Sequence, residues 1–192
     1  MADEVYHFLN YSDQQITPFA AYTDLETIIS LGSFSKILAP SLRLGWMQAH
    51  PDKIKRLVTS GLLDSGGGLN PFTSAIVREL IEAGDLEKNI ANLIATYRSR
   101  LSAMKVALHS EVPQAIFTTP QGGFFFWMRL PGVDGGQLRE KAREFSVGFR
   151  QGALFSSQGG MRDYIRLCFT FYDEEKIEVG IQRLRQCLDT FS

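Results

Sequence analysis

The apolar run Thr27-Ile28-Ile29-Ser30-Leu31 stops at Gly32-Ser33-Phe34-Ser35-Lys36, and extended sequence resumes only after Pro40, with Arg43-Leu44-Gly45-Trp46. This pattern constrains the fold more than any other stretch. A strand over Leu25 to Leu31 followed by small residues predicts a buried strand ending in a turn, with a second short strand over Arg43 to Gln48 beside it. Lys36 then stands where the chain passes from the strand into the open. Desolvation on the strand side frees a lysine's amine as a nucleophile toward aldehydes. Arg43 follows seven residues later, and its planar fork suits a phosphate. Ser33 and Ser35 add two hydroxyls able to donate to the same oxygens. Taken singly, Lys36 reads equally as a surface lysine at a strand end.

A lysine for an aldehyde, with an arginine and two serines for a phosphate, describes the two ends of pyridoxal 5'-phosphate. Ser33-Phe34-Ser35-Lys36, a spacer, and Arg43-Leu44-Gly45 resemble the lysine motif of the class I/II aminotransferases, fold type I enzymes that use this cofactor. The resemblance implies an α/β fold: the C-terminal part of the large mixed-sheet domain, followed by the smaller α/β C-terminal domain. It implies that Lys36 is the catalytic residue, carrying the cofactor as a Schiff base and shuttling a proton, with Ser33, Ser35 and Arg43 binding the cofactor. Asp3-Glu4-Val5-Tyr6 matches the family's Asp-x-x-Tyr element. By that match Asp3 pairs with the protonated ring nitrogen, which makes the ring an electron sink, and Tyr6 bonds the ring's phenolic oxygen. In the family this element follows a buried strand, and Met1-Ala2 leave no room for one before Asp3. By itself Asp3 reads as a helix cap or solvated acid. The match runs over essentially all 192 residues and corresponds to the C-terminal half of a longer enzyme. The phosphate-cupping loop, ring-stacking aromatic and asparagine of the family's N-terminal half have no counterpart assigned here.

The remaining pattern divides the chain in two. Asn10 to Ala21 reads as a loop. Pro51-Asp52 opens a helix with Ile54, Leu57, Val58 and Leu62 as its apolar face. Ser65-Gly66-Gly67-Gly68 reads as a joint, and Asn70-Pro71 as the cap and first position of a helix through Ala75, Ile76, Leu80 and Ile81. Asp85 caps the longest helical pattern, with Leu86, Ile90, Leu93, Ile94, Tyr97, Leu101, Met104 and Leu108 on one face and Arg98, Arg100 and Lys105 on its solvated side. The domain boundary is expected within it: residues 1–88 as the partial cofactor-binding domain with Lys36, residues 89–192 as the small domain. Short strands follow over Ala115 to Thr118 and Gly123 to Leu130, the latter expected to be buried on both faces because Phe124 to Trp127 are all aromatic. Asp134 to Phe145 reads as a helix, with Leu138, Ala142 and Phe145 inward. Ser146 to Gly148 and Ala153 to Phe155 read as extended pieces. Tyr164 to Phe169 reads as a strand, and Asp173 caps a last helix buried through Ile177, Ile181, Leu184 and Leu188. Arg166 is the one charge inside that strand. A buried guanidinium needs an anion, and its fork matches a carboxylate. The resemblance makes Arg166 the anchor for the substrate's α-carboxylate, while alternation alone allows an outward residue on a half-exposed strand.

The function that the resemblance implies is transamination between an amino acid and a 2-oxo acid, with glutamate and 2-oxoglutarate as the default pair. The motif order is closest to the 2-aminoadipate, kynurenine and multi-substrate branch. Two alternatives stay open: a pyridoxal-phosphate-dependent lyase of the same fold, and a truncated non-catalytic remnant or the effector half of a regulator. Lys and Arg total 20 against 21 Asp and Glu, with a net charge of -1, so the basic footprint of a nucleic-acid binder is missing. No apolar run suits a membrane span and no signal-like segment opens the chain, so the expected location is cytoplasmic. Cys168 and Cys187 are expected to be small buried hydrophobes, no metal site is expected from the three scattered histidines, and a homodimer is implied by the family.

Overall fold

The computed structural model describes residues 1–64 and 68–191. The chain divides into two compact units, Met1–Ile94 and Ala95–Ser192.

The first unit is built on a three-stranded sheet in the order β1 (Ala2–Asp3), β2 (Ile29–Ser33), β3 (Gly45–Ala49). β1 runs parallel to β2, with Asp3 opposite Leu31, and β3 runs antiparallel, with Ser33 opposite Gly45. Asp3 therefore ends a strand, where the sequence left no room for one. Two residues suffice because β2 supplies the hydrogen bonds. β2 also begins later than expected: Leu25 is half exposed in a turn, and the strand continues through Gly32 and Ser33 toward Lys36. The glycine is required there, since a Cβ at Gly32 would overlap the Trp46 indole across the ladder. That indole packs on Phe34 at 4.8 Å between ring centroids.

Helices α1 (Pro51–Val58), α2 (Gly61–Asp64) and α3 (Pro71–Glu82) follow, then α4 (Asp85–Glu111), within which the two units divide. The apolar faces read from the sequence are corrected in α1 and α3. Leu57 and Val58 are exposed, as are Ile76 and Ile81, while Val77 is the buried residue of α3. The side chain of Leu62 and the joint at Ser65-Gly66-Gly67 lie outside the described residues. Gly68, its last residue, has a φ of 105°. Asn70 occupies the N-cap position of α3 without capping it. Its side chain instead donates to the Leu42 carbonyl at 3.2 Å.

The second unit carries a four-stranded sheet in the order β4-β5-β7-β6: β4 (Ile116–Phe117), β5 (Phe125–Arg129), β6 (Arg150–Gln151) and β7 (Tyr164–Cys168), with antiparallel pairing throughout. Helices α5 (Gly135–Ala142) and α6 (Glu174–Asp189) complete it with the second part of α4. One sheet face supplies the core: Phe126, Met128, Ile165 and Leu167 are buried together with Leu108, Leu138, Leu184 and Leu188. The opposite face of β5, through Phe125 and Trp127, is half-buried, so the strand alternates and is not buried on both sides. Alternation survives the aromatic run because that face is covered by other aromatics: Trp127 stacks on Tyr164 and meets Phe155 edge-on.

Asp134 and Asp173 both cap as expected, accepting from Gly136 and Gln137 and from Lys176 respectively. Two further readings are corrected. Arg150–Gln151 is the strand where the sequence suggested a break, and Gly152–Phe155 is a 3-10 turn. Arg100 is not on a solvated side: its guanidinium donates to the Thr170 carbonyl and its Nε is buried. Cys187 is buried, with its thiol pushed up by burial, whereas Cys168 is exposed. No described helix is long and apolar enough to cross a membrane.

Candidate active site

Parallel pairing puts the carboxyl ends of β1 and β2 at one edge of the first sheet, and the antiparallel β3 begins at that edge. Asp3 closes β1 and the chain turns at once: the Val5 N–H donates to Asp3 Oδ1 at 3.3 Å, and His7 donates back to the Glu4 carbonyl. Tyr6 lies inside this turn. Ser33 closes β2, and its Oγ accepts the Ser35 N–H at 3.1 Å, starting the turn that holds Lys36. Lys36 Nζ stands 5.9 Å from the centroid of the Tyr6 ring. Carboxyl ends of strands, where adjacent connections diverge, are where open α/β sheets gather ligand-binding groups.

The Lys36 turn is held from several sides. The Phe34 carbonyl accepts from Leu38 at 2.8 Å and from Ala39 at 3.2 Å, Ile37 is buried, and Asn89 of α4 donates to the Ile37 carbonyl at 2.7 Å. Pro40–Leu42 forms a 3-10 turn that ends at Arg43 in the left-handed region, φ 50° and ψ 41°. A non-glycine residue there is uncommon and costs about 1 kcal/mol or more. The Arg43 guanidinium donates to the Pro40 carbonyl at 3.0 Å and has four further N–H donors. Arg43 thus stands just ahead of β3 at the same sheet edge as Ser33. An apolar cavity of about 540 Å³ in this unit is lined by Phe8, Phe34, Ile37, Trp46, Leu86 and Ile90. Its lining has the wrong chemistry for a phosphate or a carboxylate.

In the second unit Arg166 lies in β7 opposite Trp127 of β5 and Arg150 of β6. Its guanidinium carbon sits 3.9 Å from the Phe125 ring centroid and 4.6 Å from that of Phe155. Its Nε is buried, and no described residue accepts its hydrogen bond. A guanidinium is chemically matched to an anion, and stacking on aromatic rings holds its plane in place.

The sequence profile described as aminotransferase class I and II matches residues 1–184. The chain belongs to this aminotransferase family. It is 36% identical over 189 residues to aromatic-amino-acid aminotransferase 1 of Thermococcus litoralis, a match covering 97% of this chain and 45% of that protein. Among solved structures it resembles the kynurenine aminotransferase of Pyrococcus horikoshii, with a TM-score of 0.89 and 33% identity over 98% of this chain and 47% of that one. It also resembles the alpha-aminoadipate aminotransferase of Thermus thermophilus, solved with N-(5'-phosphopyridoxyl)-L-leucine, with a TM-score of 0.87 and 31% identity over 98% of this chain and 49% of that one. The chain spans about half the length of the relatives it matches. Its fold is accordingly the C-terminal part of the aminotransferase large domain followed by the small α/β domain.

Sequence reasoning gave no role to Glu4 or Asn89 and read Asn70 only as a helix cap, yet all three hold turns beside Lys36. The available signal was Ser30, a polar residue inside an apolar strand that needs a partner when buried. That partner is Glu4.

Proposed function

We propose that this chain carries the catalytic lysine half of a cytoplasmic, homodimeric transaminase that moves an amino group between an amino acid and a 2-oxo acid. Residues 1–88 are its cofactor-binding part and residues 89–192 its small domain. The residue types suit pyridoxal 5'-phosphate: a carboxylate, a phenol and an amine follow the ends of neighbouring strands, and Ser33, Ser35 and Arg43 lie at the end of β2 or in the turn between β2 and β3. The observation that carries the reading is the approach of Lys36 to Tyr6, 5.9 Å from amine to ring centroid, from two turns that leave parallel neighbouring strands.

Bound there, pyridoxal phosphate supplies an aldehyde and a ring that accepts the electrons of the substrate's α-carbon. The protein's residues do the rest. Lys36 holds the aldehyde end, and its Nζ takes and returns the proton at the substrate's α-carbon. Asp3 would accept the hydrogen bond of the ring N–H, and its negative charge would keep that nitrogen protonated. Tyr6 donates to the phenolic oxygen. Ser33, Ser35 and Arg43 donate to the phosphate, where a planar fork and hydroxyls suit three oxygens. Arg166 takes the α-carboxylate through its guanidinium and fixes which α-bond is aligned for reaction.

Incubation with pyridoxal phosphate, borohydride reduction and peptide mapping test the assignment. Label concentrated on Lys36 is the expected result, and label spread over the lysines refutes it. Assays of amino donors for 2-oxo acid against elimination products separate a transaminase from a lyase.

A further inference from the structure

Glu4 sits between two residues of the proposed site, Asp3 and Tyr6, and its carboxylate joins three segments. It accepts from the Phe19 N–H at 2.9 Å, the Ala20 N–H at 3.1 Å and the Ser30 hydroxyl at 2.5 Å. Ser30 is 2% exposed, in β2. The Glu4 main chain grips the next residue of the same strand, donating to the Leu31 carbonyl at 2.9 Å. β1 itself is only two residues long, and so short a ladder fixes register weakly. Hydrogen bonds to an ionised acceptor are roughly twice as strong as neutral ones, so three of them on one carboxylate decide where β1 ends.

We infer that Glu4 is a positioning residue of the site: by tying β1 to β2 and to the Phe19–Ala20 segment, it sets where Asp3 and Tyr6 stand relative to Lys36. This rests on the reading of Lys36 as the cofactor lysine. The turn that carries Tyr6 starts on Glu4, whose carbonyl accepts the His7 N–H, and it ends at Leu9, which is fully buried and donates to the Tyr6 carbonyl. Both ends of the turn are thereby anchored, one by charge and one by packing. Burial pushes the Glu4 carboxyl up, but the Ser30 hydroxyl, the two amides and nearby His7 outweigh it, and its pKa lies below the ordinary 4.5. The group is thus an acceptor for all three donors at neutral pH. A glutamine would turn an NH2 donor toward the other donors and leave at least one of them unpaired.

The test is reductive trapping with pyridoxal 5'-phosphate on the full chain, read by peptide mapping and by the near-visible band of the bound cofactor. Glu4→Gln and Ser30→Ala are each expected to lower the share of label on Lys36 by about tenfold and to shift that band, the size of effect that one lost charged hydrogen bond produces. Ser30→Thr keeps the hydroxyl and is expected to match the unmodified chain. Val77→Ala loosens α3 without touching the network and is expected to leave Lys36 labelling unchanged, which separates positioning from general loss of stability. Unchanged labelling and an unchanged band in Ser30→Ala and Glu4→Gln overturn the inference alone, and Ser30→Ala decides it if Glu4→Gln does not fold. A chain without preference for Lys36 before any substitution overturns the cofactor reading and this inference together.

Discussion

The two units are held together by different means. Among the described residues, nineteen buried apolar side chains lie in the second unit against five in the first: Leu9, Tyr11, Ile37, Val77 and Leu86. The second unit covers one face of a four-stranded sheet with helices, so hydrophobic burial fixes it. The first has a three-stranded sheet whose outer strand is two residues long, and it leaves Phe8, Phe19, Leu25, Phe72 and Ile76 exposed. Against so small a core, its polar tethers to specific carbonyls and amides, from Glu4, Asn70 and Asn89, carry more of the weight than do those of Arg100 and Arg185 in the second unit. Directional bonds place groups more finely than burial does, and the unit that relies on them more carries Asp3, Tyr6 and Lys36. The difference predicts that substitutions in the first unit change chemistry more than stability, and the reverse in much of the second.

Lys36→Ala is the sharpest break. Transamination is expected to fall at least about a thousandfold, because nucleophile and proton carrier go together. The urea midpoint is expected to move little, within about 0.5 kcal/mol, since a half-buried side chain outside the core is removed. Cofactor absorbance and a denaturation curve on one preparation check both halves. The converse is Phe126→Ala in the second unit. Phe126 is fully buried and meets Phe117 and Phe169 edge-on, so its loss is expected to cost about 3–5 kcal/mol. Leu57→Ala in the half-exposed α1 is expected to cost no more than about 0.5 kcal/mol by the same measurement.

This contrast also explains what could be read in advance. Patterns with a local physical cause were legible. β7 and β5 alternate, α6 repeats its apolar residues at helical spacing, and Asp134 and Asp173 cap helices that begin beside them. The turn that holds Ser33, Ser35 and Lys36 was legible as a turn for another reason: small residues follow an apolar strand there. The first unit's helices misled. Helical spacing marked Leu57, Val58, Ile76 and Ile81 as core, yet the unit leaves those faces exposed. Its tethers were illegible because they join residues far apart in the chain: Glu4 to Ser30 spans 26 positions, Asn70 to Leu42 spans 28, and Asn89 to Ile37 spans 52. Nothing in the neighbourhood of an asparagine announces which distant carbonyl it will meet.

Arg166→Lys sharpens the comparison from the other side, as a second-unit residue given a chemical role. An ammonium cannot reproduce the planar fork or the stacking between Phe125 and Phe155. The KM for the amino acid is expected to rise about tenfold with little change in thermal midpoint, the signature of lost ground-state and transition-state binding together. An unchanged KM would return Arg166 to a packing role. Asn89→Ala is a smaller perturbation. It frees the Ile37 carbonyl and is expected to cost about 1 kcal/mol, with faster hydrogen exchange at the Leu38 and Ala39 amides of the Lys36 turn.

The smallest effect is in pH, and it tests whether the first unit depends on charged tethers. The Glu4 carboxyl has a pKa below its ordinary 4.5 in the fold, so folding favours the ionised form. Its contribution to stability is fully present above the ordinary value and drains as pH falls through the lowered one, when the carboxyl takes up a proton and loses its role as acceptor for the Phe19, Ala20 and Ser30 donors. The difference in urea midpoint between the unmodified chain and Glu4→Gln is therefore expected to be constant from pH 7 down to about pH 5 and to shrink toward zero below it. A difference that stays constant through the acid range would mean that shape, and not charge, makes the tether. The first unit would then rest on the shape of its hydrogen-bonded tethers, Glu4 acting as Asn70 and Asn89 do, and no longer on charge.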